Sequence, residues 1–213
     1  MITKAKICGL SEPRTLDAAV EYGAFHVGFV HFPKSPRHVS AEQAAMLSAR
    51  VPDHVGRVGV FVDPEDGLLE RFVPAARLSA IQLHGDETPE RVVTISAHFG
   101  LPVWKAIPVR TRADLESSRA YRGSAAMLLF DAKPPKGADL PGGMGLRFDW
   151  RLLSGFDPGM PWGLSGGLDA ANVGEAIAIT GAPLVDVSSG VEEAPGVKSA
   201  AKIQAFMKAV EAA

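Results

Sequence analysis

A single cysteine, Cys8, is all the thiol this 213-residue chain contains. One cysteine cannot close an intrachain disulfide, so nothing in the sequence calls for an oxidising compartment. Also lacking is any apolar run near the ~18 residues that a membrane-spanning helix needs. The opening residues, MITKAKICGLSEPRT, hold no apolar stretch like that of a secretory leader, so no signal peptide is expected. Lysine and arginine form no cluster and the net charge is −2, which argues against a nucleic-acid footprint. The six histidines show no H-x-x-x-H or other metal-ligand spacing. What these absences leave, by default, is a soluble cytoplasmic protein that meets neither membrane nor nucleic acid.

The residues present supply a sizeable core, because 46% of them are hydrophobic and only 22% are charged. Short runs rich in branched and aromatic residues recur eight times: KAKICGL (4–10), FHVGFVHF (25–32), GRVGVFV (56–62), LSAIQLHG (78–85), PVWKAIPV (102–109), AMLLFDA (126–132), PWGLSGG (161–167) and APLVDVSSG (182–190). Several are nearly continuous apolar strings, as parallel strands covered on both faces require.

Helical patterns lie between the runs. EPRTLDAAVEYG sets Leu16, Ala19 and Val20 on one face and ends at Gly23. SAEQAAMLSARV opens on a Ser40 cap with an acidic or amide residue close behind. PEDGLLERFVPAA and TPERVVTISAHFG each read with proline in the first turn. DAANVGEAIAIT and SAAKIQAFMKAVEAA complete the series, and FDWRLLSGF, after the sixth run, predicts a short irregular helix. Strict strand–helix alternation implies a parallel sheet with right-handed crossovers. Eight repeats in about 200 residues predict a single-domain α/β chain, a (β/α)8 TIM barrel spanning residues 1–213. An open dinucleotide-binding sheet would favour G-x-G-x-x-G after the first strand, where the chain has CGLSEP.

Chemistry in such barrels gathers at the C-terminal ends of the strands. Those ends read Cys8-Gly9, His31, Asp63, His84-Gly85, Asp131, Ser165-Gly166-Gly167 and Asp186 to Gly190. Taken alone, Cys8 is a small buried hydrophobe, and Asp131 is a loop-organising carboxylate. Strands one and six, however, lie three places apart in an eight-membered ring and face each other across its mouth. Alternation puts Cys8 on one face with Lys6, and Asp131 with Leu129 and Met127. A thiol and a carboxylate flanking one small molecule suit proton transfer into and out of it. An apolar mouth can keep a carboxyl group protonated, and nearby positive charge can favour a thiolate.

LSGGL and VDVSSGVE place glycine amides and small hydroxyls in adjacent loops after strands seven and eight, where barrels commonly hold phosphate. PGGMGLRFDW (141–150) reads as a flexible loop over the mouth. Arg37, in PKSPRHVS, is either a solvated arginine or a bidentate partner for a ligand carboxylate.

Together KICGL, VGFVHFPKSPRHVS, RVGVFV, IQLHGDE, LLFDAKPP, GGMGLRFDW, LSGGLDAANV and VDVSSGVEEAPGVKS resemble the phosphoribosylanthranilate isomerase family of tryptophan biosynthesis, in order and spacing. The resemblance implies an Amadori rearrangement of N-(5-phosphoribosyl)anthranilate without metal or organic cofactor. It implies Asp131 as general acid, Cys8 as general base and Arg37 on the anthranilate carboxylate. Gly166, Gly167, Ser188, Ser189 and Gly190 correspond to the phosphate site, with His84 and Asp186 as supporting or sugar-hydroxyl contacts. The substrate is then a small phosphosugar, and the sequence admits a monomer or a homodimer.

Three positions depart from the family pattern: Ser11 where threonine is usual, His31 in a segment usually aromatic or apolar, and Met144 where serine or threonine is usual. The competing readings are a histidine-pathway or bifunctional phosphoribosyl isomerase and a catalytically inactive binding barrel. The first of these leans on aspartates ending strands one and five, where this chain has Cys8 and KAIPV. The second would be signalled by loss of Cys8 or Asp131, and both are present.

Overall fold

Each of the eight branched runs contains a strand, and the strands close a parallel barrel in chain order. They are β1 (Lys4–Cys8), β2 (His26–His31), β3 (Gly56–Phe61), β4 (Ala80–Leu83), β5 (Val103–Val109), β6 (Met127–Ala132), β7 (Trp162–Leu164) and β8 (Leu184–Val187). The computed structural model describes every residue except Met1, Lys136 and Asp139.

Helices α1 (Pro13–Glu21), α2 (Ala41–Ser48), α3 (Asp66–Ala75) and α4 (Pro89–Phe99) follow the first four strands. α5 (Arg112–Ser117), α6 (Val173–Thr180) and α7 (Ala200–Glu211) follow β5, β7 and β8. Capping explains where several begin. Ser40 and Gln43 exchange bonds in a capping box at the start of α2, and the Thr88 hydroxyl takes the Arg91 amide at the start of α4. Pro89 occupies the first turn of α4, but Pro64 does not do so in α3. The chain turns through Asp63, at φ 44°, and an extended Glu65 before α3 starts, leaving Pro64 outside the helix.

Two elements went unrecognised in the sequence. α5 has six residues and buries only Leu115, so it carries no apolar stripe to read. The Asp114 carboxylate holds its entry by accepting the Arg110 and Thr111 amides at 2.9 and 2.8 Å. The second is a small antiparallel hairpin, β9 (Glu192–Ala194) and β10 (Val197–Lys198), turning at Gly196 with φ 82°. Between β6 and β7 a short 3-10 turn, Trp150–Leu153, stands where the irregular helix was expected.

Side-chain alternation divides the core into two shells. Outward-facing Ile7, Val27, Phe29, Phe61, Leu83, Phe130 and Val185 meet helix residues such as Leu16, Leu69, Phe72 and Phe206. Inward-facing Val58, Ala80, Trp104, Leu129 and Leu184 fill the barrel near the strand N-termini. Strand register decides what sits above them: Lys6 aligns with Asp186 on β8, and Cys8 with Gly28 on β2.

Candidate active site

A cavity of about 700 Å³, counted out to its open mouth, lies at the C-terminal ends of the strands. Cys8, Arg37, His84, Asp131, Gly166, Gly167, Asp186, Ser188 and Ser189 all line it. Of the residues read as a site, Gly190 alone is missing from the lining. It packs against the chain after β7, where an added Cβ would run into the Leu168 carbonyl oxygen.

Cys8 ends β1 and is buried at the cavity wall. Its surroundings require two glycines. Gly9 turns the chain at φ 74° and lets the Arg37 side chain pass, since a Cβ would stand 2.6 Å from Arg37 Cδ. Gly28 leaves room for the thiol itself, because a Cβ there would fall 2.9 Å from Cys8 Sγ. Burial pushes the thiol pKa above its ordinary value; Lys6 opposes this, and Asp186 reinforces it.

Asp131 ends β6 on the opposite wall. One carboxylate oxygen accepts the Ala132 amide at 2.8 Å, and the other lies 3.2 Å from His84 Nε2. Leu140, Pro141, Gly142 and Gly143 bring the loop after β6 over this pair. A Cβ on Gly142 would come within 2.6 Å of the Asp131 carboxylate. Met144 is outside the cavity lining and 45% exposed.

Arg37 is not the solvated arginine that its segment allowed. Buried at 5% exposure, it forks onto Glu192 of β9, with Nε and Nη2 donating at 2.7 and 2.8 Å. Nη2 also donates to the Gly143 carbonyl at 3.0 Å. Glu192 takes a second cation, Lys198 Nζ, at 2.6 Å. Burial alone would raise the Glu192 carboxyl pKa, but Arg37 and Lys198 together hold it below the ordinary range. Lys198 in turn donates to the Ser188 carbonyl and hydroxyl at 3.0 and 3.2 Å, which fixes the loop after β8. Gly166 and Gly167 have φ of 92° and 62°, conformations that L side chains avoid. Their amides meet no protein acceptor among the described residues.

Other strand-end residues turn elsewhere. His31 packs its ring against Phe72 and gives Nδ1 to the Val39 carbonyl at 2.9 Å, in the shell between barrel and helices. Asp63 accepts the Asp86 amide at 2.8 Å and so organises loops. Four polar residues of this region have no role in the sequence reading: Gln82, which lines the cavity, and Lys6, Glu192 and Lys198, which hold the lining residues Asp186, Arg37 and Ser188. Each lies inside a recognised motif, but only the closed barrel and the hairpin show that its polar group is buried.

The model of a protein family described as N-(5'-phosphoribosyl)anthranilate isomerase matches residues 5–209. The chain belongs to the phosphoribosylanthranilate isomerase family. It is 56% identical to the N-(5'-phosphoribosyl)anthranilate isomerase of Zymomonas mobilis subsp. pomaceae, with 99% of each chain covered. The phosphoribosyl anthranilate isomerase of Thermotoga maritima superposes with a TM-score of 0.89 at 37% identity, covering 99% of this chain and 100% of that one. A solved family structure in complex with reduced 1-(o-carboxyphenylamino)-1-deoxyribulose 5-phosphate superposes with a TM-score of 0.86 at 35% identity, again over 99% and 100%. The fold of phosphoribosylanthranilate isomerases is therefore present from β1 into α7. No helix of the described residues is long and apolar enough to cross a membrane.

Proposed function

We propose that this chain is an aldose–ketose isomerase that converts N-(5-phosphoribosyl)anthranilate to 1-(2-carboxyphenylamino)-1-deoxyribulose 5-phosphate. The observation that carries the reading is the sharing of one cavity by Cys8 and Asp131, which reach it from opposite strands. Asp131 protonates the furanose ring oxygen. The C1–O bond breaks as the anthranilate nitrogen pushes its lone pair into a C1=N bond. Cys8, as thiolate, then removes the C2 proton, and the electron pair flows toward that nitrogen to give an enolamine. Tautomerisation yields the ketone. Nitrogen is the electron sink throughout, so every group that the reaction needs belongs to substrate or protein.

Binding follows the same map. The Gly166–Gly167 and Ser188–Gly190 loops hold the phosphate through amides and hydroxyls. Arg37 takes the anthranilate carboxylate with the face of its guanidinium edge that Glu192 leaves open. His84 supports Asp131, and Asp186 meets a sugar hydroxyl. All these groups come from one chain, so a monomer or a homodimer serves equally, and the site of action is the cytoplasm.

Generating the substrate in situ from anthranilate and phosphoribosyl pyrophosphate tests the reading by loss of fluorescence, with metal chelator present. Fast turnover in the wild type should fall about 10²–10⁴-fold in both Cys8→Ala and Asp131→Ala. A wild type that binds the substrate without converting it would make this a binding barrel instead.

A further inference from the structure

The base in this scheme must lose a proton from a buried thiol, and burial opposes that loss. The cation that acts on it most strongly comes from its own strand. Lys6 stands two residues before Cys8 on the inward face of β1, and it is fully buried at 0% exposure. The position a Gly28 Cβ would take lies 2.9 Å from Cys8 Sγ and 3.2 Å from Lys6 Cε, so those two atoms are within about 6 Å of each other. Lys6 Nζ donates to Asp186 at 2.9 Å. Burial works against the Lys6 ammonium, but Asp186 and the neighbouring thiol outweigh it and keep its pKa raised.

We propose that Lys6 is a positioning residue for the proton transfer: its buried ammonium sets how readily the Cys8 thiol ionises, and Asp186 moderates that effect by holding part of the charge. The proposal rests on Cys8 as the base and adds the electrostatic partner that makes it usable. A lysine buried in a barrel interior is costly unless it is paired, and Asp186 supplies the pair that keeps Lys6 charged there. Lys198 also favours the thiolate, though less strongly than Lys6. Lys198 is already shared with Glu192, and Arg37 is bound to the same carboxylate. β2 offers Gly28 and, a layer lower, a His26 whose pKa burial lowers to about 4. Across the cavity stand Asp131 with His84, and neutral Gln82.

Because the chain has one cysteine, the pH dependence of iodoacetamide alkylation reads Cys8 alone. Lys6→Met leaves the Asp186 anion facing the thiol, so the alkylation midpoint should rise by about 1–2 pH units. Lys6→Met combined with Asp186→Asn removes both charges and leaves no unpaired buried ion to unfold the barrel. Its midpoint should lie between wild type and Lys6→Met. Lys6→Arg should stay near wild type. A double-variant profile that coincides with wild type, or a reversed order, would overturn the proposal, since a merely structural Lys6 alters stability and leaves the midpoint alone. Alkylation needs no turnover, so this result stands apart from whether Cys8→Ala abolishes the isomerase reaction.

Discussion

Near the strand N-termini the barrel interior is filled by Val58, Ala80, Trp104, Leu129 and Leu184, whereas the C-terminal end, together with the β9–β10 hairpin, buries Lys6, Asp186, Asp131, Lys198 and Glu192. The residues named at the two ends are buried to a similar degree, yet one set is uncharged and the other is charged throughout. A dry apolar layer stabilises the fold through burial and close packing. A buried ion pair contributes little net stability, because desolvation offsets most of the attraction between its members. Charges therefore stand at the upper end for their effect on bound ligand and reacting atoms, and the lower end holds the strands that carry them. Histidine illustrates the contrast. His26, edge-on to Trp104 at the bottom, is kept neutral by burial, while His84 at the top faces a carboxylate.

The sharpest way to break this division is to remove one member of the upper network. Glu192→Gln strands Arg37 and Lys198 without their shared anion, and it should cost about 3–5 kcal/mol of stability. It should also raise KM, because the guanidinium fork loses the carboxylate that orients it. Urea denaturation and steady-state kinetics check the two effects. At the lower end, Leu129→Ala opens a cavity and should cost about 3 kcal/mol. Here kcat and KM, measured on the folded fraction, should stay near wild type, and a large fall in kcat would mean that the two ends are not independent.

The smallest effect lies in the pH dependence of stability. His26 binds its proton at an ordinary 6.5 when unfolded and at about 4 when folded. Between those values the unfolded chain holds more protons, so acidification destabilises the fold, and the contribution present above pH 6.5 is lost as pH falls toward 4. His26→Gln should flatten that part of the profile by about 1–2 kcal/mol, read from urea midpoints at several pH values. Equal slopes in the two proteins would show that His26 is not held neutral.

Much of the barrel was legible because its determinants are local. Branched runs such as GRVGVFV favour extended backbone, and caps such as Ser40 start helices without help from afar. α5 escaped notice because a six-residue helix with one buried side chain has no periodicity. The hairpin escaped for a related reason. Three residues paired with two across Gly196 leave too short a pattern to distinguish from a loop.

The candidate site divides along the same line. Cys8, Asp131 and the two glycine loops are legible as polar or conformationally special residues interrupting apolar strands. Arg37 was legible as a charge but not as a buried one, since its partner Glu192 lies 155 residues away in that same hairpin.

By itself, then, the sequence determined the number of barrel strands, their order, and which residue types stand at their upper ends, because strand propensity, alternation and turn chemistry act over a few neighbours. Only the closed barrel decided that Lys6 aligns with Asp186 and that Cys8 faces Gly28, since register between β1, β2 and β8 is a property of ring closure. The electrostatics followed from that closure. Whether a lysine is a solvated charge or a buried ammonium beside a thiol depends on what surrounds it, and those surroundings come from distant parts of the chain.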